Sequence, residues 1–233
     1  MTNLIGPAVC TNGVWKIFKQ EAEEVTAVRD VSLTIERGEF AALAGPSGSG
    51  KTTLLNVIGG LTRPTRGQVQ VAGREVSNMS NQELARLRLN EIGFIFQAYN
   101  LLPVLTALEN AEFPLLLQGV GMEERQAHVR KLFKRTGISG LEDRRPGKLS
   151  GGQQQRVAVV RAVASKPALV LADEPTANLD SASSEGLLDL MSELNHDLGI
   201  TFVFATHDAH VMERSRRLIR MVDGCIDSDE THT

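Results

Sequence analysis

A glycine-rich stretch at residues 45–53, GPSGSGKTT, constrains this chain more than any other feature. The apolar run before it, 40–44, is typical of a buried parallel strand, and the apolar run after it, 54–58, is typical of a helix. In that setting the pattern G-x-x-x-x-G-K-[ST] forms a phosphate-binding loop. Glycines let successive N–H groups turn inward, and the new helix adds unpaired N–H groups and the positive end of its dipole. The sequence therefore predicts a nucleotide-phosphate site at a strand–helix junction.

The residue types within this loop indicate how the phosphates are held. Lys51 is expected to neutralise charge on the β- and γ-phosphates, and the hydroxyl of Thr52 to bind Mg²⁺. The alternative without a ligand, a solvated turn, is disfavoured by the apolar segments on both sides. The predicted phosphate-binding residues of the loop are Gly45, Pro46, Ser47, Gly48, Ser49, Gly50, Lys51, Thr52 and Thr53.

Composition limits the classes of protein that remain. The chain has 233 residues and a formal net charge of −3, which argues against a nucleic-acid binder that relies on a basic surface. It has no apolar run long enough to span a bilayer, and its N-terminus lacks the layout of a signal peptide. Cys10 and Cys225 are expected to be free thiols in a reducing cytosol. The acidic tail, 227–233, is expected to fray.

The order of predicted elements indicates a parallel sheet with two additions. Segments 8–18 and 25–35 predict two antiparallel strands, and 67–73 a hairpin strand. Between 98 and 166 the pattern becomes helical, with Pro114 expected to kink or divide one helix, and this block is a candidate inserted lobe. Further apolar strands are predicted at 92–96, 168–172, 200–205 and 218–224.

Polar side chains follow three of the apolar strands, where open α/β sheets place their ligands. Asp173 would position Mg²⁺ and Glu174 would polarise the attacking water, while His207 could reach a γ-phosphate. Gln97 follows the strand at 92–96. Each also has a simpler explanation: Gln97 can start a loop, Asp173 and Glu174 can form a solvated charge pair, and His207 can be an isolated histidine.

Three further positions allow a functional and a structural interpretation. Phe18 could stack on a base or belong to the core of an edge strand. Ser150 and Gln153 have capping-box spacing with two glycines between them, so Ser150 begins either a second anion-binding helix or an ordinary one. Asp180 is a plausible N-cap for a helix near 181–198.

In order and content, these motifs resemble the nucleotide-binding subunit of ATP-binding cassette (ABC) transporters over nearly the whole chain. Residues 45–53 resemble Walker A, LSGGQ at 149–153 the family signature, and 169–175 Walker B with its catalytic glutamate. Gln97 resembles the Q-loop glutamine and His207 the switch histidine. NLD at 178–180 resembles the D-loop. Phe18 falls at the A-loop aromatic, where many members have tyrosine.

The resemblance implies a fold and a catalytic arrangement. It implies an α/β fold: a P-loop NTPase (RecA-like) core with an antiparallel β subdomain and an inserted α-helical lobe, in one domain, 1–233. The core and β subdomain would occupy 1–97 and 167–233, and the lobe with the signature 98–166. Glu174, His207 and Gln97 would be catalytic, and Thr52, Gln97 and Asp173 would hold Mg²⁺.

The resemblance also implies partners. Two subunits would pair head to tail as a homodimer or with a related subunit, each ATP lying between Walker A of one and the signature of the other. The signature residues acting in trans would be Ser150, Gly151, Gly152 and Gln153, with Asp180 at the dimer contact. Integral membrane permease subunits would bind the lobe, placing the chain in the cytoplasm on the inner membrane; no nucleic acid is expected.

Within the family, the stretches 93–116 and 170–180 are most similar to the lipoprotein-releasing and macrolide-exporter type. One alternative is a non-transport ABC ATPase, such as a cell-division regulator that signals through a membrane partner. A second is a DNA-maintenance ATPase with the same head. Such heads usually carry long coiled-coil or zinc insertions, and this chain has room for neither.

Overall fold

The computed structural model describes residues 6–20 and 23–232, which form ten strands and seven α-helices. The strands are β1 (Val9–Gln20), β2 (Glu23–Ile35), β3 (Phe40–Ala44), β4 (Arg66–Val71), β5 (Arg74–Glu75), β6 (Ile92–Phe96), β7 (Leu169–Asp173), β8 (Thr201–Thr206), β9 (Arg217–Val222) and β10 (Cys225–Thr231). The helices are α1 (Lys51–Ile58), α2 (Asn81–Glu91), α3 (Ala107–Leu117), α4 (Met122–Arg135), α5 (Gly151–Val163), α6 (Ser181–Leu198) and α7 (Ala209–Arg214).

A six-stranded sheet in the order β10-β9-β3-β8-β7-β6 forms the centre of the fold. All neighbouring strands in it are parallel except β10, which pairs antiparallel with β9 at one edge. Its central strands β3, β8 and β7 are almost entirely buried because both faces of the sheet are covered. Along β3, Phe40 and Ala42 face one hydrophobic core, and Ala41 and Leu43 face the other. The predicted α/β class is therefore confirmed.

The two faces of this sheet carry different layers. The first core contains residues of α3, α4, α5 and α6, and the second contains residues of α1, α2 and the strands β1, β2 and β4. Those strands belong to an antiparallel sheet in the order β2-β1-β4-β5, as predicted from the hairpin-like segments. None of the helices in the described ranges has both the length and the hydropathy needed to cross a bilayer.

One local expectation is wrong, and so is one of the two alternatives expected at Pro114. Pro114 does not divide its helix: α3 runs through it to Leu117, and the N–H of the C-cap residue Gln118 donates to the carbonyl of Pro114 (3.0 Å). The acidic tail does not fray over residues 227–231, because these belong to β10.

The tail strand is held by one arginine on its neighbour. Arg217 donates from Nε and Nη2 to both oxygens of Asp229 (2.8 and 2.7 Å), and from Nη1 to Glu39 (2.9 Å). Asp229, and then Glu39, raise the pKa of Arg217 above its ordinary value. The acidic terminal segment was expected to fray, but its Asp229 accepts two hydrogen bonds from the guanidinium of Arg217 on β9.

Candidate active site

The carboxyl ends of four parallel strands bring the predicted residues to one edge of the sheet. Phe96 of β6 lies opposite Asp173 of β7, which lies opposite Ala205 of β8, and Ala44 of β3 lies opposite Thr206. The residues that follow these strand ends surround a cavity of about 500 Å³. It is lined by Ala27, Pro46, Ser47, Gly48, Gly50, Lys51, Thr52, Thr53, Gln97, Glu174 and His207.

Backbone contacts explain two of the loop glycines. Gly45 (φ 153°) and Gly50 (φ 99°) have left-handed backbones. A Cβ at Gly45 would lie 2.2 Å from the carbonyl oxygen of Met221, and one at Gly50 2.2 Å from that of Ala27. Any larger residue would push the loop off β9 or β2. The sheet and the β subdomain therefore both fix the shape of the loop.

Lys51 is almost fully buried beneath the loop, with 6% of its surface exposed. Its Nζ donates to the carbonyls of Gly45 (2.7 Å) and Pro46 (2.9 Å). Burial lowers the pKa of Lys51, and the negative charges of Glu174 and Asp173 oppose that shift. Its third partner is the Ser49 hydroxyl (3.5 Å), so all its partners are uncharged. A buried ammonium of this kind would gain a stronger, charge-assisted partner from a bound phosphate, so the loop fits a nucleoside triphosphate.

Thr52 and Asp173 meet at the floor of the site. The Thr52 hydroxyl donates to Asp173 Oδ1 at 2.8 Å. Burial raises the pKa of Asp173, while the hydrogen bond from Thr52 lowers it. A hydroxyl and a carboxylate are hard oxygen ligands of the kind Mg²⁺ prefers, beside a loop suited to phosphates. These residues therefore fit a magnesium ion.

Glu174 and His207 form a hydrogen-bonded pair across the end of β7 and β8. His207 Nδ1 lies 2.6 Å from Glu174 Oε1, and Thr206 Oγ1 donates to Oε2 at 3.4 Å. Glu174 has a left-handed backbone (φ 46°), held by its N–H donating to the carbonyl of Ala205 at 2.9 Å. A strained residue at a strand end is typical of functional sites. Its carboxylate faces the cavity and can accept a proton from a water molecule there.

The signature residues are not brought to this cavity. Among the described residues that line it, none comes from 149–153. Ser150 is the exposed N-cap of α5, in a complete capping box: its Oγ accepts from the N–H of Gln153 (3.3 Å), and Gln153 Oε1 accepts from the N–H of Ser150 (3.0 Å). Gly151 and Gly152 form its first turn.

Asp180 and Phe18 also lie outside the described cavity lining. Asp180 caps α6 by accepting from the N–H of Ser183 (2.9 Å), and the hydrogen bonds from that residue lower the pKa of Asp180. Phe18 lies near the end of β1, paired with Val25 and 39% exposed, with Lys16 Nζ 4.8 Å from its ring centroid. It is not a core residue.

Sequence reasoning missed three contributors to the site. Ala27 of β2 lines the cavity, and a small apolar residue carries no sequence signal for that role. Asn178 donates from Nδ2 to the carbonyl of Gln97 at 2.9 Å; its place in the NLD triplet was the available signal. Arg161 of α5 donates to the carbonyls that follow Gln97, and nothing in its helical surroundings indicated this.

A buried parallel sheet that presents a phosphate loop, a glutamate and a histidine in one cavity, with Asp173 hydrogen-bonded to Thr52 of that lining, defines an ATPase of the P-loop class. The sequence profile of the ABC transporter family matches residues 28–177. The chain belongs to the ATP-binding cassette family, as a component that binds and hydrolyses ATP.

Relatives of three kinds are similar over nearly the whole chain. An uncharacterized ABC transporter ATP-binding protein of Thermotoga maritima is 46% identical, covering 93% of this chain and 92% of that protein. The lipoprotein-releasing system ATP-binding protein LolD of Shewanella denitrificans is 43% identical, covering 95% of each. The macrolide export ATP-binding/permease protein MacB of Rhodopseudomonas palustris is 44% identical over 97% of this chain but only 34% of its own length.

Solved structures show the same fold. The dimeric, post-hydrolysis state of the cassette MJ0796 of Methanocaldococcus jannaschii, bound to ADP and Pi, superposes with a TM-score of 0.90 at 40% identity. The match covers 97% of this chain and 99% of that one. CbiO1 of Clostridium perfringens, part of a transporter complex, superposes with a TM-score of 0.86 at 26% identity, covering 97% and 89%.

Proposed function

We propose that this chain is the energy-coupling subunit of a membrane transporter of the lipoprotein-release or export type. Two copies, or one copy and a related subunit, would close on ATP, and closure would move permease subunits in the inner membrane from its cytoplasmic face. Two kinds of relative support this: one is named for lipoprotein release, and in another the cassette and a permease share one protein. The core would be 1–97 with 167–233, and the moving lobe 98–166.

The catalytic roles follow from the cavity. Lys51 would exchange its loop carbonyls for phosphate oxygens. When bound, Mg²⁺ would neutralise phosphate charge beside Thr52, Asp173 and Gln97. Glu174 would take the proton of the attacking water. His207, whose Nδ1 lies 2.6 Å from Glu174 Oε1, would hold that carboxylate in place.

The signature residues would act on the ATP of the partner copy. The loop at 46–48 is exposed, and the described residues of 149–153 lie outside the cavity of their own chain. The N-terminus of α5 carries unpaired N–H groups suited to a γ-phosphate. The ADP- and Pi-bound relative is a dimer, which supports completion of the site by a second copy. Asp180 would lie at that contact, and Phe18 would stack on adenine.

An apolar groove beside the cavity carries the coupling role. It has a volume of about 400 Å³ and is lined mainly by residues of α2, β6, α3 and α5. Phe96 and Asn100, on either side of Gln97, belong to its lining, and Leu117 at its rim is 58% exposed. Its occupant would be a short cytoplasmic helix of the permease. Because groove and ATP site share the segment around Gln97, movement of one would be transmitted to the other.

The test is co-purification from native membranes. The full-length protein should bring down a multi-span membrane subunit, whereas Leu117→Arg should not, because the charge would face an apolar surface. The matched control is Leu198→Arg, an exposed leucine at the end of α6, outside the groove lining. Its yield of partner should equal wild type. Equal yield from Leu117→Arg would contradict the groove assignment, and recovery of DNA without any membrane subunit would contradict the transporter role.

A further inference from the structure

The segment that follows Gln97 has an unusual backbone. Tyr99 (φ 60°) and Asn100 (φ 49°) are consecutive non-glycine residues in the left-handed region, which costs conformational energy at both positions. Local hydrogen bonds from the N–H of Tyr99 to Phe96 (3.0 Å) and from that of Asn100 to Ala98 (2.6 Å) close the turn. Other contacts must stabilise this conformation, because isolated residues of these types favour negative φ.

Arg161 of α5 supplies that stabilisation. Its guanidinium donates from Nη2 to the carbonyl of Tyr99 (2.8 Å) and from Nη1 to the carbonyl of Asn100 (2.5 Å). Burial lowers the pKa of Arg161, and no carboxylate within the described ranges offsets this effect. A partly buried cation whose hydrogen bonds go to two adjacent carbonyls stabilises the positions of both carbonyls.

Two further contacts connect the same segment to elements of the ATP site. A Cβ placed on Gly151, the first residue of α5, would lie 2.9 Å from the hydroxyl of Tyr99. Tyr99 therefore reaches the helix N-terminus that begins at Ser150. Asn178 holds the carbonyl of Gln97 at 2.9 Å. Carbonyls of the 97–100 segment are thus bound at Arg161 on α5 and at Asn178, while the Tyr99 ring closely approaches Gly151.

We propose that Arg161 is a positioning residue that fixes the 97–100 segment to α5, so that Gln97 and the signature N-terminus move as one body. Both Arg161 and Asn100 line the apolar groove, so a helix seated there would contact this fixed unit directly. The inference rests on the proposed role of Gln97 in the ATP site. It goes beyond that role by naming Arg161 as the residue through which movement at the groove would reach both Gln97 and Ser150.

Hydrogen exchange of the full-length, nucleotide-free protein tests the fixation without using activity. In Arg161→Met, amides of 97–105 should exchange about tenfold faster, since each hydrogen bond from a charged donor is worth on the order of that factor. Arg161→Lys keeps the charge but loses the two-pronged geometry, and should give an intermediate rate. The matched control is Arg156→Met: this arginine of the same helix donates to the carbonyl of Thr136 (2.8 Å), in the lobe.

A magnesium titration of ATP hydrolysis gives the functional readout. Arg161→Met should raise the half-saturating Mg²⁺ concentration several-fold, as should Gln97→Ala, while Arg156→Met leaves it at the wild-type value. If Arg161→Met does not fold, both the hydrogen-exchange measurement and the magnesium titration are made on Arg161→Lys. Exchange in 97–105 equal to that of Arg156→Met would overturn the proposal. An unchanged magnesium dependence in Gln97→Ala would instead contradict the role of Gln97, leaving the exchange result to decide the fixation.

Discussion

Replacing Ser150 with phenylalanine separates its role as the N-cap of α5 from the role proposed for it in the ATP site of a partner copy. The capping box at Ser150 closely matches another at Ser80: in each, the serine Oγ accepts from the backbone N–H three residues later at 3.3 Å. Both serines are exposed N-caps, of α5 and α2 respectively. Ser80→Phe is therefore a matched control that removes the same cap at a position outside the proposed site.

The expected cost in stability is the same for both variants. Loss of an N-cap costs about 1 kcal/mol, which lowers the melting temperature of a chain of this size by about 2–4 °C. Neither ring meets the core, since both positions are exposed. The catalytic cost should differ. Losing one anion-stabilising donor lowers turnover by about 10²–10³-fold, and the ring at residue 150 would also block the approach of the partner's phosphate.

The assay compares ATP hydrolysis with ATP binding to the monomer at low protein concentration. Ser150→Phe should lose about 100-fold in hydrolysis, whereas Ser80→Phe retains it. Binding to the monomer should stay within about twofold of wild type in both variants, because distant sites act almost independently. Loss of monomer binding in Ser150→Phe would place Ser150 in its own chain's site. Equal hydrolysis in the two variants would remove it from catalysis.

Two further predictions address the catalytic pair and the tail strand. Glu174→Gln should lower turnover by about 10²–10⁴-fold, because the amide cannot accept the water proton, while ATP stays bound and traps a dimer visible by gel filtration. The control is Glu185→Gln, on the exposed side of α6. Near-normal hydrolysis in Glu174→Gln would show that Glu174 is not the proton acceptor. Arg217→Met should lower the free energy of unfolding by about 1–2 kcal/mol, since its half-buried carboxylate partners lose their donor. Arg214→Met, whose ion pair with Asp189 is 52% exposed on both sides, should cost at most about 0.5 kcal/mol in the same denaturant titration; equal costs would contradict the role given to Arg217.

Local patterns sufficed for most of the secondary structure. The capping box at Ser150 begins a helix, as predicted from two residues three positions apart, and the same spacing begins helices at Ser80 and Thr106. The loop before α1 was equally local, since its glycines are followed at once by lysine and threonine. Patterns of this kind are readable because the interacting groups are close in the chain.

Predictions failed where the deciding partner was distant in sequence. The acidic tail at 227–231 was expected to fray as chain termini often do, yet Asp229 within it is bound by Arg217 on the adjacent strand. Arg161 carried no signal, because its acceptors are carbonyls about 60 positions earlier in the chain. Main-chain carbonyls are the same in every residue, so no side-chain pattern identifies them as partners.

The sequence by itself determined the chemistry of this protein: the phosphate loop, the Asp-Glu pair and the family to which they belong. The order of its strands was decided only in the tertiary structure, because it depends on how two hydrophobic cores cover the faces of one sheet. That order aligns the ends of β3, β8, β7 and β6, which brings Lys51, Gln97, Glu174 and His207 into one cavity. It also leaves Ser150 outside the lining of that cavity.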